Sequence, residues 1–140
     1  MAKGMTREQI QFLLRMRHGE IMRRPRPKLG QVAGNGVEII AELSPAPSSV
    51  WWECLKEVEE GTVLEGRVGG VNTEIRIQST EDEFEEDVRR LDAFLTHVNH
   101  CYRKRFTDAE TRLKEITDEE NKSKEAAMRT QRLQERLRKL

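Results

Sequence analysis

The stretch Glu81–Phe106, EDEFEEDVRRLDAFLTHVNHCYRKRF, decides the fold. Phe84, Val88, Leu91, Leu95, Val98 and Tyr102 recur in steps of four and three residues, the pattern of a helix that buries one heptad-like stripe. Glu81, Asp82, Glu83, Glu85, Glu86 and Asp87 crowd its start, where they suit the positive end of a helix dipole and read as a solvated face. Phe106 breaks the step, and Thr107 with Glu110 forms a capping-box pattern at which the helix could restart in a new direction. Beyond it Ala109, Leu113 and Ile116 resume the stripe, residues 118–124 are polar throughout, and Ala126, Leu133, Leu137 and Leu140 finish it. A helix from residue 81 to 140 would reach roughly 90 Å at about 1.5 Å per residue, too long to lie on a small sheet. Residues 107–140 are therefore expected to form a charged helical arm, and residues 37–106 a head that holds the first part of the helix.

Upstream of that helix, Thr62–Val68 and Thr73–Ser79 read as a hairpin, with Leu64, Val68, Ile75 and Ile77 at period two and Gly69, Gly70, Val71 and Asn72 as its turn. Ser48 or Ser49 can cap a short helix in which Val50, Trp51, Cys54, Leu55 and Val58 share a face, with Gly61 just past its end. Val37, Ile39, Ala41 and Leu43 alternate with Glu38, Ile40 and Glu42, which predicts a strand ended by Pro45 and Pro47. Residues 29–36, with Gly30, Gly34 and Gly36, read as a linker. Residues 1–28 read as a basic helix followed by an Arg/Pro arm: Thr6 and Gln9 form a capping box, apolar residues recur to Ile21, and Pro25 and Pro27 stop the helix near Arg23. The fold class expected is α+β, with a small three-stranded sheet, short helices and a long C-terminal coiled-coil-like helical arm.

Composition supports an arm that leaves the globule. Of 140 residues 36% are apolar and 36% charged, too little apolar material for the whole chain to share one compact core. Formal net charge is zero, so overall charge draws the chain neither to nucleic acid nor to membrane. Its distribution is uneven: residues 1–28 carry eight basic side chains against two acidic, and residues 101–140 twelve against eight. The middle is acidic, with three basic against eight acidic residues over 29–80 and two against seven over 81–100. There is no apolar run of about twenty residues to span a membrane, nor an apolar stretch behind the basic start to serve as a secretory signal. The expectation is a cytoplasmic protein, with Cys54 and Cys101 as free thiols.

Few residues present themselves for chemistry. His97, His100 and Cys101 fall at i, i+3 and i+4 on a helix, a partial set of metal ligands that lacks a fourth member; His97 and Cys101 flank the apolar stripe and are expected to pack against the sheet or a partner helix, and His100 to face water. No nucleophile elbow, phosphate-binding glycine loop or Cys–His pair at a known family spacing is present, so neither enzymatic activity nor a cofactor is expected. Arg15, Arg17, Arg23, Arg24, Arg26 and Lys28 form the polyanion-binding candidate, through which an alternative function as a nucleic-acid-binding accessory factor would run. Trp51 and Trp52 diverge by about 100° on a helix. One is expected in the core and the other, Trp52, to be a partner anchor or a cover for the sheet edge. Leu133, Leu137 and Leu140, set among basic residues, are the partner-binding candidates of the arm. The function expected from all this is a non-enzymatic assembly or adaptor protein that binds a protein partner or itself through the helical arm. A metal-dependent enzyme is the least favoured alternative.

Overall fold

The computed structural model describes residues 4–140, and its elements are those of an α+β protein with a long C-terminal helix. In chain order they are α1 (Arg7–Arg15), β1 (Met22–Arg23), β2 (Lys28–Ala33), β3 (Gly36–Ser44), α2 (Ser49–Glu59), β4 (Val68–Val71), β5 (Glu74–Thr80) and α3 (Phe84–Arg138). They fall into two compact units. One is Met16–Arg105; the other is formed by α1 and Phe106–Leu140. No helix among the described residues is long and apolar enough to cross a membrane.

The unit Met16–Arg105 is built on an antiparallel sheet of five strands, not three. Strand β3 is central: it pairs with β1 and β2 along one edge and with β5 along the other, and β5 pairs with β4. Period-two alternation turns Val37, Ile39, Ala41 and Leu43 of β3 and Ile75 and Ile77 of β5 to the buried face. Against them are buried Val50, Trp51, Cys54 and Leu55 of α2 and Leu91, Phe94, Leu95, Val98 and Tyr102 of α3. Helix α2 starts at Ser48, whose hydroxyl accepts from the Trp51 amide at 3.3 Å, and ends before Gly61 at φ 77°.

Three expectations change here. The stretch 29–36 is not a linker, because β2 pairs with β3 from Lys28 opposite Ile40 to Ala33 opposite Gly36, closing on Gly34 (φ 59°) and Asn35. Nor is residues 62–68 a strand. Arg67 donates to the carbonyls of Val63 and Gln78, which gathers the segment into turns, and β4 begins at Val68. Gly69 and Gly70 consequently lie within β4, and the hairpin turns instead at Asn72, φ 57°, and Thr73.

The first helix also stops early, at Arg15. From Met16 onward the backbone finds its partners in side chains of α3: Tyr102 donates to the Met16 carbonyl at 2.9 Å and accepts from the His18 amide at 3.0 Å. Asn99 receives the Ile21 amide at 3.0 Å and donates to its carbonyl at 2.8 Å, so Ile21 is buried without being helical.

In the other unit, the Thr6–Gln9 capping box forms as its sequence implies, with bonds of 2.9 and 3.2 Å. Ile10, Phe106 and Ala109 are buried. Arg7 ties α1 to the later helix through Glu120 at 2.6 Å and Thr117 at 3.4 Å. The helix does not restart at Thr107: α3 is unbroken from Phe84 to Arg138.

Candidate partner-binding surfaces

The distal part of α3 carries the most exposed apolar residues arranged at helical spacing. Every residue from Asp118 to Leu140 is exposed. Leu133 and Leu137, 46% and 68% exposed, share one face of the helix, and Leu140, fully exposed, follows three residues on, just past its end. Arg129, Arg132, Arg136 and Lys139 run in a parallel lane one residue ahead of them, with Glu135 the only carboxylate after Glu125. A cationic lane beside an apolar one is the chemistry of a helix that binds an acidic surface with an apolar centre.

In the unit Met16–Arg105, Trp51 is buried and donates its indole N–H to Asn99 at 3.0 Å. Trp52 is half-buried and stands edge-on to Trp51 at 5.1 Å between ring centres. Its ring lies against Gly70 of β4, where any Cβ would collide with it. Trp52 thus covers the sheet edge, one of the two roles open to it from sequence, and keeps part of its surface exposed. Beside it opens a groove of about 750 Å³ lined by Leu55, Val68, Glu59, Glu60 and Glu65 together with Lys56.

The expected basic arm is not an extended, polyproline-like tether. Its chain bends at Arg26, φ 63°, between β1 and β2, and the Arg24 amide donates to the Glu42 carbonyl at 2.7 Å. Arg23 is engaged by Asp92 through two bonds of 2.7 and 3.1 Å, and that hydrogen-bonded carboxylate raises the guanidinium's pKa further. Arg24, Arg26 and Lys28 border a small cavity of about 120 Å³ that also contains Glu42 and Glu74. Arg17 belongs to the same unit; Arg15 ends α1 in the other. Part of the charge of these cations is met by carboxylates. Replacing Arg23, Arg24 and Arg26 by alanine is expected to leave the fold intact, since Arg24 and Arg26 are exposed and a surface pair such as Arg23–Asp92, with its carboxylate in solvent, is worth about 1 kcal/mol. Thermal unfolding of the triple variant checks this.

No protein-family model, curated protein or solved structure matches the chain. Its function must be argued from these surfaces alone.

Among the described residues no group of three or more His, Cys, Asp or Glu side chains is placed to hold a metal ion. His97 and His100 are both exposed, so His97 does not pack against the sheet. Position 97 points away because the buried face is carried by Phe94, Leu95, Val98 and Tyr102. Cys101 is half-buried and reaches Glu57 at 3.6 Å. The Cys54 thiol is pushed up to about 12, first by burial and then by its hydrogen bond with Cys101 and the charge of Glu57, against the opposing pull of Arg105. Such a thiol is protonated at neutral pH and a poor nucleophile.

Two clusters escaped the sequence reading. His18 stacks on Tyr102 at 4.4 Å and accepts the Ser48 amide at its Nε2, 3.1 Å, while Nδ1 lies 2.8 Å from the Gly19 carbonyl. These contacts join the loop after α1 to the start of α2. The second centres on Asp87, which is fully buried and not solvated. Arg67 meets it at 2.9 and 3.3 Å, Arg90 at 2.8 Å and the Ser79 hydroxyl donates to it. Burial alone would raise its pKa, but the bonds from Arg67, Ser79 and Arg90 outweigh it and hold the carboxyl below its ordinary value.

Proposed function

We propose that the chain is a non-enzymatic assembly or adaptor protein, whose α+β head presents the helical arm to a protein partner or to a second copy. One observation carries this: every residue from Asp118 onward is exposed, yet Leu133 and Leu137 stay in register on one face of the helix and Leu140 follows just past its end. Such a helix adds no packing to the fold and leaves its leucines hydrated, so burying them against a partner is favourable by about 25 cal/mol per Å². The cytoplasm is the compartment proposed for it, where the free thiols Cys54 and Cys101 would stay reduced.

The partner surface should be acidic. Residues 121–140 carry seven basic side chains against two acidic, and parallel pairing of two such helices would set like charges across the seam. A peptide covering Asn121–Leu140 is therefore expected to be largely unfolded and monomeric by itself near neutral pH. Circular dichroism over a range of peptide concentrations checks this. Strong helicity that grows with concentration would show that the arm pairs with its own kind and would remove the case for an acidic partner.

A further inference from the structure

We infer that the acidic groove beside Trp52 is the receptor for the helical arm of a second copy of this chain. The inference rests on the reading of the arm as a protein-binding element and names its partner.

The groove has the complementary chemistry. Its apolar floor is Leu55, Val68 and the Trp52 ring that lies on Gly70, and its polar lining sets three carboxylates, Glu59, Glu60 and Glu65, against Lys56. The carboxylates differ from their neighbours on α2 in how they are used. Glu53 and Glu57 are both paired with Arg105. Glu65 accepts only the Gly61 amide, and no basic side chain among the described residues pairs with Glu59 or Glu60. With three carboxylates against one lysine, the lining keeps a net negative charge around an apolar centre, which draws a cationic segment with an apolar stripe.

The arm is such a segment. Leu133 and Leu137 lie one turn apart on the helix, about 6 Å, and Leu140 follows just past its end. In the contact the leucine lane lies over Trp52 and Leu55, and the lane of Arg132, Arg136 and Lys139 faces the carboxylates. Placing an aromatic anchor and leucines at the centre with charges at the rim follows the usual anatomy of a specific interface. The occupant is a second copy because each chain carries both halves of the match. Arm against arm would repel, whereas arm against groove is attractive. Exchanged both ways between two copies the contact closes as an isologous pair; made one way it is heterologous and closes as a ring or propagates.

Two variants test it in the full chain: Glu59→Lys with Glu60→Lys in the groove, and Arg132→Glu with Arg136→Glu in the arm. All four positions are exposed or at the surface of α2, and circular dichroism and melting confirm that each variant is folded. Sedimentation should find the unaltered chain above monomer mass and each variant weakened about ten-fold or more, a loss of about 1.4 kcal/mol. Mixed together, the two should recover a complex of one copy of each, because the groove variant keeps a good arm and the arm variant a good groove. A mixture that stays monomeric while the unaltered chain associates overturns the head-to-tail contact. Loss of association in the arm variant alone overturns the groove as receptor but leaves the arm as a binding element. An unaltered chain that remains monomeric up to submillimolar concentration overturns the second copy as partner, and the arm's reading then stands or falls on a foreign acidic protein.

Discussion

Asp87→Ala is expected to destabilise the folded chain by about 1–3 kcal/mol, the usual cost of leaving buried hydrogen-bonding groups without their partner. The carboxylate is fully buried and takes bonds from Arg67, Arg90 and Ser79. Arg67 in turn gathers residues 62–67 by donating to Val63 and Gln78. Removing Asp87 strips Arg67 of its counter-charge and leaves the buried Ser79 hydroxyl without its acceptor. The sign of the pH dependence follows from the lowered pKa. Stability from this carboxylate is fully present above the unfolded value of about 3.9 and is lost as pH falls through the lower folded value. Urea titrations should therefore show the unaltered chain losing stability below about pH 4, and Asp87→Asn, already destabilised at neutral pH, losing less on acidification. An equal loss in both would mean that Asp87 is not the carboxylate responsible.

The second large effect is a contrast between two changes in α3. Leu91 is fully buried, and Leu91→Ala should cost about 2–5 kcal/mol. Ending the chain at Asn121 removes residues that are all exposed and should leave the melting temperature close to that of the full chain. The comparison is made at protein concentrations low enough to keep the chain monomeric, because association would itself add stability. A truncation that lowers the melting temperature as far as Leu91→Ala would show that the distal helix is part of the fold and not an arm.

What could be read from sequence was whatever depended on neighbours in the chain. The stripe through Leu91, Leu95, Val98 and Tyr102, the alternation of β3 and the Ser48 cap are local patterns, and each appears in the structure. The features that were not legible are those set by distant partners. Strand β2 is an exposed edge with no buried face, so it has no alternation, although Gly34–Asn35 before β3 is a hairpin signal that could have revealed it. Helix α1 shows apolar periodicity as far as Ile21, but Tyr102 and Asn99, some eighty residues later, take the backbone out of the helix at Met16. Asp87 looks like its acidic neighbours until Arg67 is brought beside it. Of the candidate surfaces, the arm's leucines were visible because a helix displays its own spacing. The groove was not, since it needs α2, the turns after it and β4 together.

The most direct test of assembly through the arm is the mass of the full chain in solution by sedimentation equilibrium, with and without nuclease, beside a chain ending at Asn121. The full chain should exceed monomer mass over a micromolar to submillimolar range, nuclease should not alter that mass, and the shortened chain should be monomeric. A full chain that is monomeric throughout, or one whose larger mass disappears with nuclease or persists without residues 122–140, would contradict the account.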